Sequence, residues 1–212
     1  MEYLFIIVIF LYSVIIHEIA HGAVAYHLGD PTAKQAGRLT LNPLPHLDPI
    51  GSVILPFFLF LMSSLGGGGV IFGWAVPVPI NPYNFRDKKY GTLKVAAAGP
   101  LVNFSLALIF GLALRFFSGF IASFSTMTVV LFSYIVWINL QLAIFNLIPV
   151  PPLDGSHILL SLLPDSFYKF KNFLYRSGYF FLLIFIFFFF SLLVYLINWI
   201  FVLITGFSLL GI

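Results

Sequence analysis

Four stretches of this 212-residue chain stay apolar for long enough to cross a bilayer as helices, which takes about 20 residues. They are 3–27, 93–117 (LKVAAAGPLVNFSLALIFGLALRFF), 127–148 (MTVVLFSYIVWINLQLAIFNLI) and 178–205 (GYFFLLIFIFFFFSLLVYLINWIFVLIT). A fifth apolar run, 50–65, is short and contains Pro56. Four glycines (66–69) follow it, and then VIFGWAVPVPI, which alternates weakly and ends in prolines. That pattern predicts a strand or extended segment. The polar stretches 28–48, 81–92 and 164–177 are each too short to hold a separate domain. The pattern therefore predicts an all-α polytopic membrane protein forming one domain over 1–212.

Composition sharpens this picture. The chain is 61% hydrophobic and 8% charged, too little charge to cover a soluble domain. Its 27 phenylalanines sit at little cost in lipid. With no cysteine, disulfides and cysteine-ligated metals are excluded. The net charge of +3 gives no reason to expect nucleic acid. The N-terminus lacks the basic region and cleavage site of a signal peptide, so the first helix is expected to be retained.

The first helix carries the chemistry. His17 and His21 are four residues apart, on one helical face, and Glu18 stands beside the first. Two imidazoles so placed can share a metal ion, and the carboxylate can take a proton from water there, which is the H-E-x-x-H arrangement of zinc hydrolases. Three polar residues solvated at a helix end are the plain alternative. Against it, each ionisable group costs at least about 2–3 kcal/mol at the bilayer centre. His27 lies near the interface and reads as a surface histidine.

A catalytic zinc takes three protein ligands and leaves one position open. The candidate third ligand is Asp154, in FNLIPVPPLDGSHIL (145–159). The prolines at 149, 151 and 152 end the preceding helix and leave Asp154 on an irregular segment. Asp154 can equally be read as the N-cap of a helix beginning near Ser156. Paired with the histidines, the ligand reading is preferred, with His157 ranked second.

At these residues the chain resembles the site-2 protease family of intramembrane zinc metalloproteases. The resemblance rests on His17-Glu18-x-x-His21, AAAGPLVNF (96–104) and NLIPVPPLDG (146–155), with further likeness in GRLTLNPLPHLDPIGS (37–52) and GWAVPVPINP (73–82). It implies one Zn2+ held by His17, His21 and Asp154, with Glu18 as general base. It also implies cleavage of transmembrane or membrane-proximal segments of protein substrates in the lipid bilayer. Many relatives carry a PDZ or CBS domain, and none of this chain's polar stretches has room for one.

The metal site constrains topology independently. His21 near the end of the first helix and Asp154 just past the third span must reach one ion from the same side. Spans 93–117 and 127–148 make a round trip, so 50–80 makes no net crossing and is expected to be re-entrant. This places Lys34, Arg38, Arg86, Lys88, Lys89, Lys94, Lys169, Lys171 and Arg176 on one side and Arg115 on the other. Such a bias marks the cytoplasmic face of a cell membrane. The active site is expected in the cytoplasmic half, with both termini outside. A strand edge over 70–78 would hold a substrate extended, with Val70, Phe72 and Trp74 as candidate contacts.

Among the remaining polar residues, Asn146 can donate to a substrate carbonyl or clamp the substrate strand, which makes it a catalytic candidate. Asn103 and Asn139 are candidate substrate contacts. Asn103 also reads as a packing position near the site, and Asn139 as an interhelical hydrogen bond. His46 and Asp48 read as loop-stabilising, with a ligand-orienting role as the alternative. Two rival functions are a metal-ion transporter or permease and a non-catalytic scaffold. The first lacks support from an inverted repeat or a second ligand cluster. The second leaves the His-Glu-His face unexplained.

Overall fold

The computed structural model of the protein describes residues 2–48, 51, 54 and 76–208. Its helices are α1 (Glu2–His27), α2 (Thr32–Gln35), α3 (Gly91–Phe124), α4 (Thr126–Asn146), α5 (Asp154–Leu162) and α6 (Tyr168–Thr205), with short 3-10 turns at Leu44–His46, Pro82–Asn84 and Asp165–Phe167. Helices α1, α3, α4 and α6 are long and apolar enough to span a membrane, and the chain is a multi-pass membrane protein. Helix α3 is central and packs against α1, α4, α5 and α6. Ala107 and Leu114 of α3, Val136 and Leu140 of α4, and Ile197 and Phe201 of α6 form the apolar core.

Two spans differ from their sequence-based ends. Helix α3 continues to Phe124 through a kink at Phe117 (φ −125°, ψ 20°). Ser125 alone then joins it to α4, and its hydroxyl accepts the Met127 N–H at 3.1 Å. Helix α6 begins ten residues before the expected 178. The charges at 169, 171 and 176 ended the apolar pattern, but long basic side chains reach water from a continuing helix.

No strand occurs among the described residues apart from an isolated bridge at Leu47. Val70, Phe72 and Trp74, and most of the expected re-entrant segment 50–80 with its short β-hairpin or extended strand, lie outside the described residues. The expected strand edge does not form over the part that is described, 76–78. Pro77 has no N–H to give a ladder, and the two valine N–H groups are taken. Val76 donates to the His46 carbonyl at 2.9 Å and Val78 to Glu18 Oε2 at 2.8 Å.

The end of α1 is anchored to this segment. Gly29 (φ 106°) turns the chain in the left-handed region, which brings Asp30 inward. Burial by itself would raise the Asp30 carboxyl. The Thr32 hydroxyl, the Asn81 N–H, the Asn84 amide and the Thr32 N–H outweigh it and hold the group below the usual carboxylate range.

Candidate metal centre

Three ligand atoms converge where α1, α3 and α5 meet. His17 Nε2 lies 3.0 Å from Asp154 Oδ2, His21 Nε2 lies 3.2 Å from the same oxygen, and the two Nε2 atoms are 3.1 Å apart. Both histidines are buried, at 5% and 6% exposure. Among the described residues this is the cluster of histidine and acidic groups able to hold a metal ion.

The outer nitrogens determine what the inner ones can do. His21 Nδ1 is 2.7 Å from the Val95 carbonyl. A carbonyl only accepts, so Nδ1 carries the proton and Nε2 is left with a lone pair. His17 Nδ1 is 2.6 Å from Asn103 Oδ1, which forces the same tautomer. Two imidazole lone pairs and a carboxylate oxygen therefore point into one buried space. A cation held between them would relieve their mutual repulsion. Four ligands about 2.0–2.2 Å from a tetrahedral zinc stand about 3.4 Å apart, close to the observed triangle. Residues, tautomers and spacing all fit zinc.

Local sequence explains how each ligand is placed. The four-residue step puts both rings on one face of α1. Gly99 of α3 leaves the space in front of them, since a Cβ there would lie 2.5 Å from both Nε2 atoms. Pro100 lacks the N–H that would donate to the Ala96 carbonyl one turn back, next to Val95, whose carbonyl receives His21. Asp154 is the first residue of α5, and Leu153, without a side-chain cap, precedes it. The N-cap alternative is therefore not realised, and the expected irregular segment covers 147–153, ending one residue before Asp154. Gly155 allows this approach, because a Cβ there would meet the Leu147 carbonyl oxygen at 2.2 Å.

The other sequence candidates lie elsewhere. Glu18 is half-buried beside the cluster, with Oε2 on the Val78 N–H. Asn146 is half-buried and turns its amide N–H back to the Leu142 carbonyl at 2.9 Å. Asn103 and Asn139, offered above to substrate, sit behind His17 at 0% and 1% exposure with their amides bonded within the bundle. His157 is outside the cluster and faces Tyr175, with ring centroids 6.2 Å apart. His27 is exposed. His46 is buried and directs Nε2 at the Thr40 carbonyl, while Asp48 accepts the Gly51 N–H. Sequence reasoning missed Ser13, the Val95 carbonyl and the Val78 N–H. Only Ser13 carried a signal, since 13, 17 and 21 share one helical face.

The profile of peptidase family M50, the site-2 protease family, matches residues 83–185. A Bacillus subtilis protein named "Putative zinc metalloprotease YwhC" is 40% identical over 166 residues, covering 76% of this chain and 70% of that protein. The chain belongs to peptidase family M50. It is a zinc metalloprotease, and zinc is its metal. Two further relatives also carry the name of zinc metalloprotease. Rip2 of Mycolicibacterium smegmatis, named in the same words as YwhC, is 34% identical over 71% of this chain and 55% of its own length. "Zinc metalloprotease MJ0392" of Methanocaldococcus jannaschii is 31% identical over 56% of this chain and 36% of its own. The chain thus spans about half of Rip2 and about a third of MJ0392. No solved structure matches the chain.

Proposed function

We propose that this M50 peptidase is an intramembrane endopeptidase that hydrolyses peptide bonds in or near transmembrane segments of membrane proteins. In this reading His17, His21 and Asp154 hold the zinc ion. The observation that carries it is the buried triangle of two imidazole lone pairs and one carboxylate oxygen, set among helices long enough to span a bilayer. When bound, zinc polarises the scissile carbonyl and lowers the pKa of water toward 7. Glu18 is the general base. It takes the proton from the attacking water and passes it to the leaving nitrogen. The Val78 N–H holds one oxygen of that carboxylate in place and leaves the other to work. Asn146 assists by donating to the substrate, for which it releases the Leu142 carbonyl.

In this reading the substrate is bound in extended form, and Val70, Phe72 and Trp74 are its candidate contacts. The site lies in the cytoplasmic half of a cell membrane. In support, Lys34, Arg86 and Lys94 flank the end of the bundle where α1 stops and α3 starts, whereas Arg115 reaches the Leu203 carbonyl near the end of α6. The three ligands and their partners span residues 13–154, so the whole chain works as one protease domain.

The test compares wild type with Glu18→Gln in proteoliposomes holding a single-span model peptide, with products read by mass spectrometry and zinc by elemental analysis. Wild type is expected to cut the peptide. The variant is expected to keep one zinc and lose about 100-fold or more in cleavage rate. Undiminished cleavage by the variant would refute the role of Glu18. Zinc flux into the vesicles without cleavage by wild type would favour the permease.

A further inference from the structure

Behind His17 runs a hydrogen-bonded chain that no catalytic step uses, and it crosses three helices. Asn139 of α4 donates from Nδ2 to the Ile135 carbonyl and to Ser13 Oγ, both at 2.9 Å. Its Oδ1 accepts from Asn103 Nδ2 at 2.7 Å. Asn103 Nδ2 also faces the Ser13 carbonyl at 3.3 Å, and Asn103 Oδ1 receives His17 Nδ1 at 2.6 Å. Both amides are fully buried.

The polarity of the whole chain is set at its far ends. The Ile135 and Ser13 carbonyls can only accept, so each must face an amide nitrogen. Asn139 must therefore present its oxygen to Asn103, and Asn103 must present its oxygen to His17. Neither amide can flip without setting two acceptors against each other in a buried space, which is costly. Ser13 lies one turn before His17, so the relay closes back onto the helix of the ligand it serves.

We propose that Asn139 and Ser13 are positioning residues for the metal centre, acting through Asn103 to keep the proton of His17 on Nδ1 and its Nε2 lone pair aimed at zinc. The proposal rests on the reading of His17 as a zinc ligand. An ordinary interhelical hydrogen bond would support the bundle and leave zinc affinity alone. A ligand-orienting partner changes affinity, typically by 10–100-fold when removed.

The experiment uses the full chain in detergent micelles and zinc alone as the probe, with the dissociation constant read by chelator competition. Circular dichroism and size exclusion report folding. Asn139→Leu removes both donors and the acceptor at nearly constant volume and is expected to bind zinc about tenfold or more weakly. Asn139→Asp, as the neutral acid that burial favours, keeps an acceptor toward Asn103 and one O–H donor toward Ser13 or the Ile135 carbonyl, and is expected to restore most of that loss. Ser13→Ala, the mildest change, is expected to cost about threefold. Wild-type affinity in Asn139→Leu, or an Asn139→Asp variant as weak as Asn139→Leu, would overturn the proposal. If Asn139→Leu fails to fold, wild-type affinity in Ser13→Ala overturns it instead. His17→Ala separates the two levels. Zinc retained there removes the ligand assignment and the relay with it, whereas zinc lost there but unaffected by both relay variants removes the relay alone.

Discussion

The metal end of the bundle and the α6 layer solve the same problem differently. Where α1, α3 and α5 meet, helices are joined through polar groups that each find a partner, from Asp154 and the two histidines to Asn103, Asn139 and Ser13. Helix α6 is joined by shape. Phe201 packs edge-on against Trp137, and Ile204 fills the space that Gly111 leaves. Most of its other face is open, with Phe187 82% exposed. Lipid gives apolar helices little reason to associate, so close packing and hydrogen bonds carry the association. The polar solution fixes rotation and depth to a fraction of an ångström, which a metal site needs. The apolar solution tolerates adjustment.

The largest effect expected from this contrast is at Gly99. Gly99→Ala puts a methyl group 2.5 Å from both Nε2 atoms and should weaken zinc binding by more than about 100-fold, since first-row ligand geometry is lost outright. Stability should change less than zinc affinity, because alanine's better helix propensity, about 1 kcal/mol, offsets part of the overpacking against the two rings. Zinc titration beside a thermal melt checks both halves, and a variant that binds zinc normally would contradict the described geometry.

In the α6 layer, Gly111→Ala is expected to do the reverse. The new Cβ would meet Ile204 Cγ2 at 2.3 Å, an overpacking that costs about 1–3 kcal/mol, with zinc content unchanged. Unfolding in mixed micelles measures the first and elemental analysis the second.

A smaller effect is expected at Asn198, buried in α6 with Oδ1 lacking a hydrogen-bond partner among the described residues. Replacing an unsatisfied polar group with an apolar one of similar size is about neutral to about 1 kcal/mol stabilising. Asn198→Leu should therefore melt no lower than wild type. A marked loss would show that the amide serves a purpose.

The smallest effect belongs to Asp30, on the polar side of the comparison. Its folded carboxyl sits below the usual range, so its contribution is complete above the unfolded value near 4 and is lost as pH falls through the lower folded value. Melting temperature should fall on acidification below about pH 4, and less steeply in Asp30→Asn. Equal slopes would assign the acid sensitivity to other groups.

Much of this was legible along the chain. Four long apolar runs predict four helices because lipid demands internally satisfied backbone. The i, i+4 histidines, the carboxylate between them and the proline-bounded Asp154 follow from ligand chemistry. Element ends were less legible. The boundary at 178 differs because basic residues interrupt the apolar pattern without ending the helix, and the strand edge fails over 76–78 because its two N–H groups bind distant partners in His46 and Glu18.

Local spacing thus determined which residues could ligate, since two rings on one turn are fixed by the helix itself. Tertiary structure decided which amides stand behind them. Asn103 and Asn139 looked alike as polar positions in apolar helices, and Ser13 drew no notice. Their roles depend on how three helices are rotated against one another across separations of up to 126 residues. No local pattern encodes that rotation, because it is the outcome of every contact between the helices at once.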